Sequence, residues 1–361
     1  MDAPSHDPPP ALAGCPKRMV YGPCGGVRSD LSCEMAPVPC PFAAGAPVPV
    51  SYVPSSSPPS GPDPSGSPPA GPPPAAGGAL LVTARRRPVV LTDFTVRPYD
   101  PASISRVTGI LRGSCDALLV GEHQGRPDFP PSLLTSLITA AGGRPWITLT
   151  GRDRNRLVLE QELAGLLQAG ADGVLCVTGD GRAPGMRTDV TQVFDLDGTR
   201  LAAMAAATGL CVAVAESPAA PPVALRAGRL LQKERAGARL GVLNHVAGAA
   251  ALRTFAGNAR LAGVSLPLIA AVAVYTDERS AAVLQAFPGL QLDNRSVAAV
   301  LAARDPVAAG IAAAVAQARE LLAIDGVAGV NLSGLASARD EIYAAEVKAA
   351  IGRQLAGGAS L

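Results

Sequence analysis

Cys15, Cys24, Cys33 and Cys40 stand close together near the start of the chain, and carboxylates and amides recur further on wherever an apolar run stops. The four cysteines are separated by eight, eight and six residues, wider than the spacing of an ordinary zinc knuckle. Four thiolates around the turn-forming GPCGG suit a tetrahedral Zn²⁺ or a [4Fe-4S] cluster, and the spacing leaves both open. Free or disulfide-bonded cysteines are the alternative. So short a module holds little apolar core, and a metal would supply most of its folding free energy.

The second set of candidates is spread along the rest of the chain. Asp93 closes LTDF, Glu122 and His123 follow LLVG, and Thr148 and Thr150 lie in TLTGRDRNR. Thr178, Gly179 and Asp180 end CVTGD, Glu216 ends VAVAE, and Asn244 and His245 end VLNH. Tyr275 sits in VYTD, and Asn331 and Ser333 in NLS. Carboxylates gathered in one place shift each other's proton affinity, so that one can hold a proton for general-acid work. For Asp93 and Asp180 the alternative is helix capping. Arg152, Asp153 and Arg154 read as loop and helix-start residues, and His123 and His245 as satisfied polar groups without a partner at metal-ligand spacing. Cys115, Cys176 and Cys211 read as small buried hydrophobes.

The elements that must position these residues follow from the rhythm of the sequence. Short Val-, Leu- and Ile-rich runs predict strands at 89–96, 117–122, 146–150, 173–178, 210–215, 240–244, 268–274 and 329–332. Longer segments at helical spacing fall at 102–111, 131–141, 154–169, 199–208, 222–236, 249–261, 297–324 and 339–355. Eight alternating pairs predict an α/β fold, a (β/α)₈ TIM barrel whose site lies where the strands end. A doubly wound open sheet is the runner-up, but no Gly-x-Gly-x-x-Gly follows the first strand.

Composition limits the remaining possibilities. The 361 residues are 48% hydrophobic and only 3% aromatic, enough for a large core of Ala, Val and Leu. A net charge of +2 gives no electrostatic footprint for nucleic acid. The first twenty residues lack a secretory pattern, and the longest apolar run, 262–275, is broken by Ser265 and Pro267. The expectation is a soluble, cytoplasmic protein that binds neither nucleic acid nor membrane. Most of the 35 prolines precede residue 80, which predicts three parts: a cysteine-rich metal-binding module at 1–40, a disordered Pro/Ser/Gly linker at 41–80 and the barrel at 81–361.

TLTGRDRNR followed by GVLCVTGD resembles the third and fourth strand region of methylenetetrahydrofolate reductases, and CPKRMVYGPCGGVRSDLSCE resembles a cysteine module of the same enzyme system. The resemblance covers about 88–355 and the first forty residues. It implies an oxidoreductase that reduces 5,10-methylenetetrahydrofolate to 5-methyltetrahydrofolate, in one-carbon and methionine metabolism, with FAD at the barrel mouth and NAD(P)H or a reduced carrier as electron donor. It places Asp93, Glu122 and Asp180 as catalytic carboxylates. Thr148, Thr178, Gly179, Asp180, Glu216 and Lys233 would hold the flavin, and Asn244 and Tyr275 the folate. The departures are Asp93 for a longer Glu, Thr148 for a His, Asn244 for a Gln, and AESPAAPP for a Pro-Glu and His-Pro segment. They suit either a modified site, flavin-dependent or flavin-independent, or a catalytically degenerate folate- or flavin-binding subunit of a redox complex with a partner protein.

Overall fold

The computed structural model describes residues 11–43, 51–53, 78–183, 185–286 and 292–357. Eight strands close into a barrel in sequence order: β1 (Val89–Phe94), β2 (Ala117–Val120), β3 (Pro145–Thr150), β4 (Gly173–Val177), β5 (Val212–Glu216), β6 (Leu240–Leu243), β7 (Leu268–Val274) and β8 (Val327–Gly334). All neighbours are parallel, and β8 closes on β1 with Leu91 opposite Asn331. This is the expected (β/α)₈ barrel.

Alternation along each strand decides what reaches the mouth. Val89 and Leu91 of β1 turn inward, while Val90 and Phe94 meet the surrounding helices. The inward row therefore ends on Asp93. The same parity leads from Trp146 to Thr148 and Thr150, from Leu240 and Val242 to Asn244, and from Gly329 to Asn331 and Ser333. Apolar layers fill the barrel from below, and a polar ring is left on top.

The lowest layer is built around Trp146, which is fully buried and donates its indole N–H to Asp172 at 2.7 Å. Its ring fits because the adjacent strand carries glycine: a Cβ on Gly173 would lie 2.6 Å from it. We expect Gly173→Ala to cost about 1–3 kcal/mol through overpacking, read as a lower urea midpoint with an unchanged far-UV spectrum.

Helix α1 (Ala79–Ala84), which the sequence rhythm does not announce, closes the barrel from below. Its Leu80 and Leu81 pack against Val89, Trp146 and Ile269. The outer layer is formed by α2 (Pro101–Leu111), α3 (Pro131–Ala140), α4 (Arg156–Gln168), α5 (Gly198–Ala207), α6 (Arg226–Arg235), α7 (Ala249–Leu261), α8 (Glu278–Gln285), α9 (Asn294–Leu301), α10 (Pro306–Leu322) and α11 (Glu341–Gly357). The single helix expected at 297–324 is two, because Asp305 caps α10 from outside and Pro306 occupies its first turn. Helix α8 is an addition, opened by a capping box between Asp277 and Ser280. Among the described residues no helix is long and apolar enough to cross a membrane.

Residues 11–43 form a small module with its own apolar cluster of Met19, Val27, Cys40 and Phe42. It has almost no regular structure and is tied by bonds such as Cys33 N–H to Val38 O and Cys40 N–H to Leu31 O, each 2.8 Å. The stretch expected to be a linker lies mostly outside the described residues. Of it, Tyr52 meets the Tyr21 ring edge-on at 5.4 Å, and 78–80 lead into α1.

Candidate active site

The module lies across the barrel mouth rather than beside it. Val20 N–H donates to Asp197 at 3.0 Å, Arg229 donates to Tyr21 O at 2.7 Å, and Arg226 to Pro23 O at 3.3 Å. Lys17, only 2% exposed, donates to Gly179 O at 2.6 Å and pairs with Glu34 of its own module. Gly179 suits this turn because its φ of +93° lies in the left-handed region, where a side chain is strained.

Beneath the module is a cavity of about 390 Å³. Glu122, Thr148, Thr178, Gly179, Asp180, Glu216, Lys233 and Asn244 all line it, so most of the residues singled out by sequence converge. The module adds Lys17, Met19 and Cys24 to the wall. Nothing in local spacing assigns those three to the mouth, although Lys17 is one of only three lysines in the chain. Arg229, Asn331 and Ser333 complete the lining used below.

Two expected residues stand elsewhere. Asp93 lies one layer behind the cavity wall, with Oδ1 accepting from Asn331 Nδ2 at 2.7 Å and Oδ2 from Gly334 N–H at 3.3 Å. Tyr275 is not at the mouth: its ring is buried in a separate apolar cluster with Leu284, Val297 and Val300. The chain passes the end of β7 and turns into α8 and α9, which cover the ring before it can reach the cavity.

The carboxylates differ sharply in how they are held. Glu122 accepts from Thr150 N–H at 3.2 Å, from Thr150 Oγ1 at 2.9 Å and from Arg154 at 2.8 Å, so both oxygens are engaged. Glu216 is buried beside Lys233 at 2.8 Å and Arg226 at 3.4 Å. Burial pushes its carboxyl up, but Lys233, Arg226 and Arg229 outweigh this and hold it below the ordinary range. Burial also pushes Lys233 down, and Glu216 only partly restores it. Asp180 has no hydrogen-bonding partner among the described residues. It keeps contact with solvent at the rim, yet the surrounding protein raises its carboxyl; Lys17 draws it back and Glu34 adds to the rise. The mutual repulsion expected among strand-end carboxylates is therefore not what perturbs them.

Two lining groups have buried polar atoms without partners among the described residues, Asn331 Oδ1 and Arg229 Nε. Asn244 uses its Oδ1 on His245 N–H at 2.9 Å. His245 itself is buried, which lowers its imidazole below the ordinary 6.5, and Asp93 offsets this in part. The unfolded histidine thus binds more protons than the folded one below about 6.5. We expect stability to fall as pH drops through that value, and His245→Gln to flatten the loss, as measured by urea unfolding across this range.

The residues do not fit FAD as the resemblance implies. Lys233, the expected phosphate contact, is occupied by Glu216 and Ala215 O. Arg226 and Arg229 are occupied by the module's backbone, and residues 17–25 cover the surface beside β4 and β5 that an extended dinucleotide would need. Cys15 lies within electrostatic reach of Cys24, Cys33 and Cys40, the thiols that would hold a metal. Cys24 faces Glu34 Oε1 at 3.7 Å, Cys33 accepts from Met35 N–H at 3.4 Å, and burial raises Cys24 to about 11. Among the described residues no three His, Cys, Asp or Glu side chains form a metal-holding group.

No protein-family model matches the chain, and no curated protein matches it. Among solved structures it is similar to thiamine phosphate pyrophosphorylase from Pyrococcus furiosus, at 16% identity and a TM-score of 0.38, over 76% of this chain and 98% of that one. It is also similar to tryptophan synthase from Mycobacterium tuberculosis, at 16% identity and a TM-score of 0.45, over 79% and 99% of the two chains. Likeness at this level is one of barrel architecture alone.

Proposed function

We propose that the mouth cavity binds a reduced pterin and that the chain is a methylenetetrahydrofolate reductase-like oxidoreductase. The observation that carries this is the single cavity on which Asp180, Thr148, Asn244 and Asn331 converge, with Asn331 Oδ1 buried and without a partner among the described residues. A pterin presents amide and amino groups on one edge, and side-chain amides with both donors and acceptors complement such an edge.

In this reading Asp180 is the proton donor. It is the lining carboxylate with no internal hydrogen bond, whereas those of Glu122 and Glu216 are engaged. The proton passes to the bridging nitrogen N10, the bond from that nitrogen to the methylene carbon breaks, and a hydride from a reduced nicotinamide or a reduced carrier adds to the carbon at N5. Lys17 and Met19 cover part of the cavity from above, while Asp180 at the rim stays open to solvent. Asp93 acts through Asn331, which it orients at 2.7 Å. With reduced nicotinamide as donor, the protein as purified should convert 5,10-methylenetetrahydrofolate to 5-methyltetrahydrofolate. Absence of turnover together with absence of folate binding overturns the reading.

A second reading, a folate-binding subunit without turnover of its own, is favoured by one observation: Lys233, the cation expected to grip a cofactor, is paired with Glu216 inside the chain. Folate binding without turnover, and turnover restored by a redox partner, would select it.

A further inference from the structure

A second cleft, of about 310 Å³, shares Gly121, Glu122, Gln124 and Thr148 with the mouth cavity and lies among the loops that follow β2, β3 and β4. Four guanidinium groups line it, those of Arg126, Arg154, Arg182 and Arg187, against three carboxylates. Each carboxylate has a partner, although Asp153 Oδ1, 2.8 Å from Arg182, makes no well-formed hydrogen bond among the described residues. Glu122 is held by Arg154 at 2.8 Å, Asp153 by Arg152 at 2.9 Å and Arg182 at 2.8 Å, and Asp128 Oδ1 by the backbone N–H groups of Tyr99 at 2.9 Å and Phe129 at 2.7 Å. Arg154 is thereby used, and Arg187 turns to Asp189 at 2.8 Å.

The other two cations retain donors. Arg182 is 9% exposed; its Nε donates to Gln124 O at 2.8 Å, while its Nη1 is buried and has no partner among the described residues. A buried guanidinium N–H left unpaired is costly, and an acceptor brought by a ligand would relieve it. Arg126 is exposed on the same cleft, with no ion-pair partner among the described residues. We propose that this cleft is a binding site for a small oxyanion, a carboxylate or phosphate group, seated between Arg182 and Arg126. The planar fork of a guanidinium matches the paired oxygens of either group. The proposal does not depend on what the mouth cavity binds.

The test is calorimetric titration of the full chain with inorganic phosphate and, separately, with glutarate, in a chloride buffer of constant ionic strength. Saturable binding of at least one probe is expected with a dissociation constant of about 1 mM or tighter, and the tighter probe names the ligand class. Arg126→Ala and Arg182→Gln should each weaken it about ten-fold, with Arg126→Lys retaining part of the affinity. If Arg182→Gln fails to fold, Arg126→Ala carries the test, because its side chain supports nothing else. Absence of saturation with both probes at about 10 mM, or an unchanged affinity in folded Arg126→Ala, overturns the proposal.

Discussion

Glu216→Ala should lower folding stability by about 3–5 kcal/mol, the largest effect expected of any single substitution considered for this chain. The carboxylate is fully enclosed, and Lys233 and Arg226 depend on it for counter-charge, while Arg229 is balanced first by Asp197 and then by Glu216. Its removal leaves Lys233 and Arg226 buried without a counter-charge beside Arg229, and burying unpaired charge is far more costly than forming the cluster is favourable. Because Arg226 and Arg229 also hold Pro23 O and Tyr21 O, the damage should spread to the docking of the module. Urea unfolding should show a lower midpoint, and limited proteolysis should cleave 11–43 earlier in the variant. The pH dependence has a fixed sign. A carboxyl held below its ordinary value contributes stability that is complete above about 4.5 and is lost as pH falls through the lower folded value. Glu216→Gln should lack this acid-side loss. An unchanged midpoint in Glu216→Ala would mean that the charges are not enclosed as described.

Asp180→Asn should reduce turnover by about 10²–10⁴-fold while leaving folate affinity within a few-fold, since an amide keeps the shape and loses the proton. In the parent protein the acid form must be present, so turnover should decline as pH rises through the raised carboxyl value; the variant's residual rate should lose that limb. Glu122→Gln offers a contrast. Its oxygens bind Thr150 and Arg154, so its main consequence should be displacement of the loop after β3, seen as weaker binding and lower stability. Comparable loss of turnover in both variants, with unchanged stability, would transfer the proton role away from Asp180.

The barrel was legible because each strand satisfies two requirements at once, an apolar run and a polar residue where it ends. Helix α7 and strand β7 fall on the expected limits, 249–261 and 268–274, because turn-forming Gly248 and Gly263 and Pro267 bracket them. The convergence of Thr148 and Asn244 follows from the same alternation, whereas Glu122 and Asp180 fall on the outward parity of β2 and β4 and reach the cavity through the loops beyond those strands. Tyr275 misled because it continues the inward parity of β7 beyond the strand, where the covering helices and not the barrel decide its surroundings. Pro306 was a readable break within 297–324, outweighed by the continuous alanine-rich pattern around it. The position of the module was beyond local reasoning. Arg229 and Tyr21 are 208 residues apart, and neither apolar rhythm nor cysteine spacing pairs a guanidinium with so distant a carbonyl. Lys233, the cation expected to meet a dinucleotide phosphate, is taken up by Glu216 and Ala215 O within the barrel itself, a pairing of β5 with α6 that local spacing does not announce either.

Calorimetric titration of the full chain with tetrahydrofolate, beside a variant in which Ala271→Leu adds bulk to the cavity floor, tests the central proposal most directly. One saturable site that is lost or greatly weakened in the folded variant is the predicted result. Failure of the parent chain to bind, or equal binding by both proteins, would contradict it.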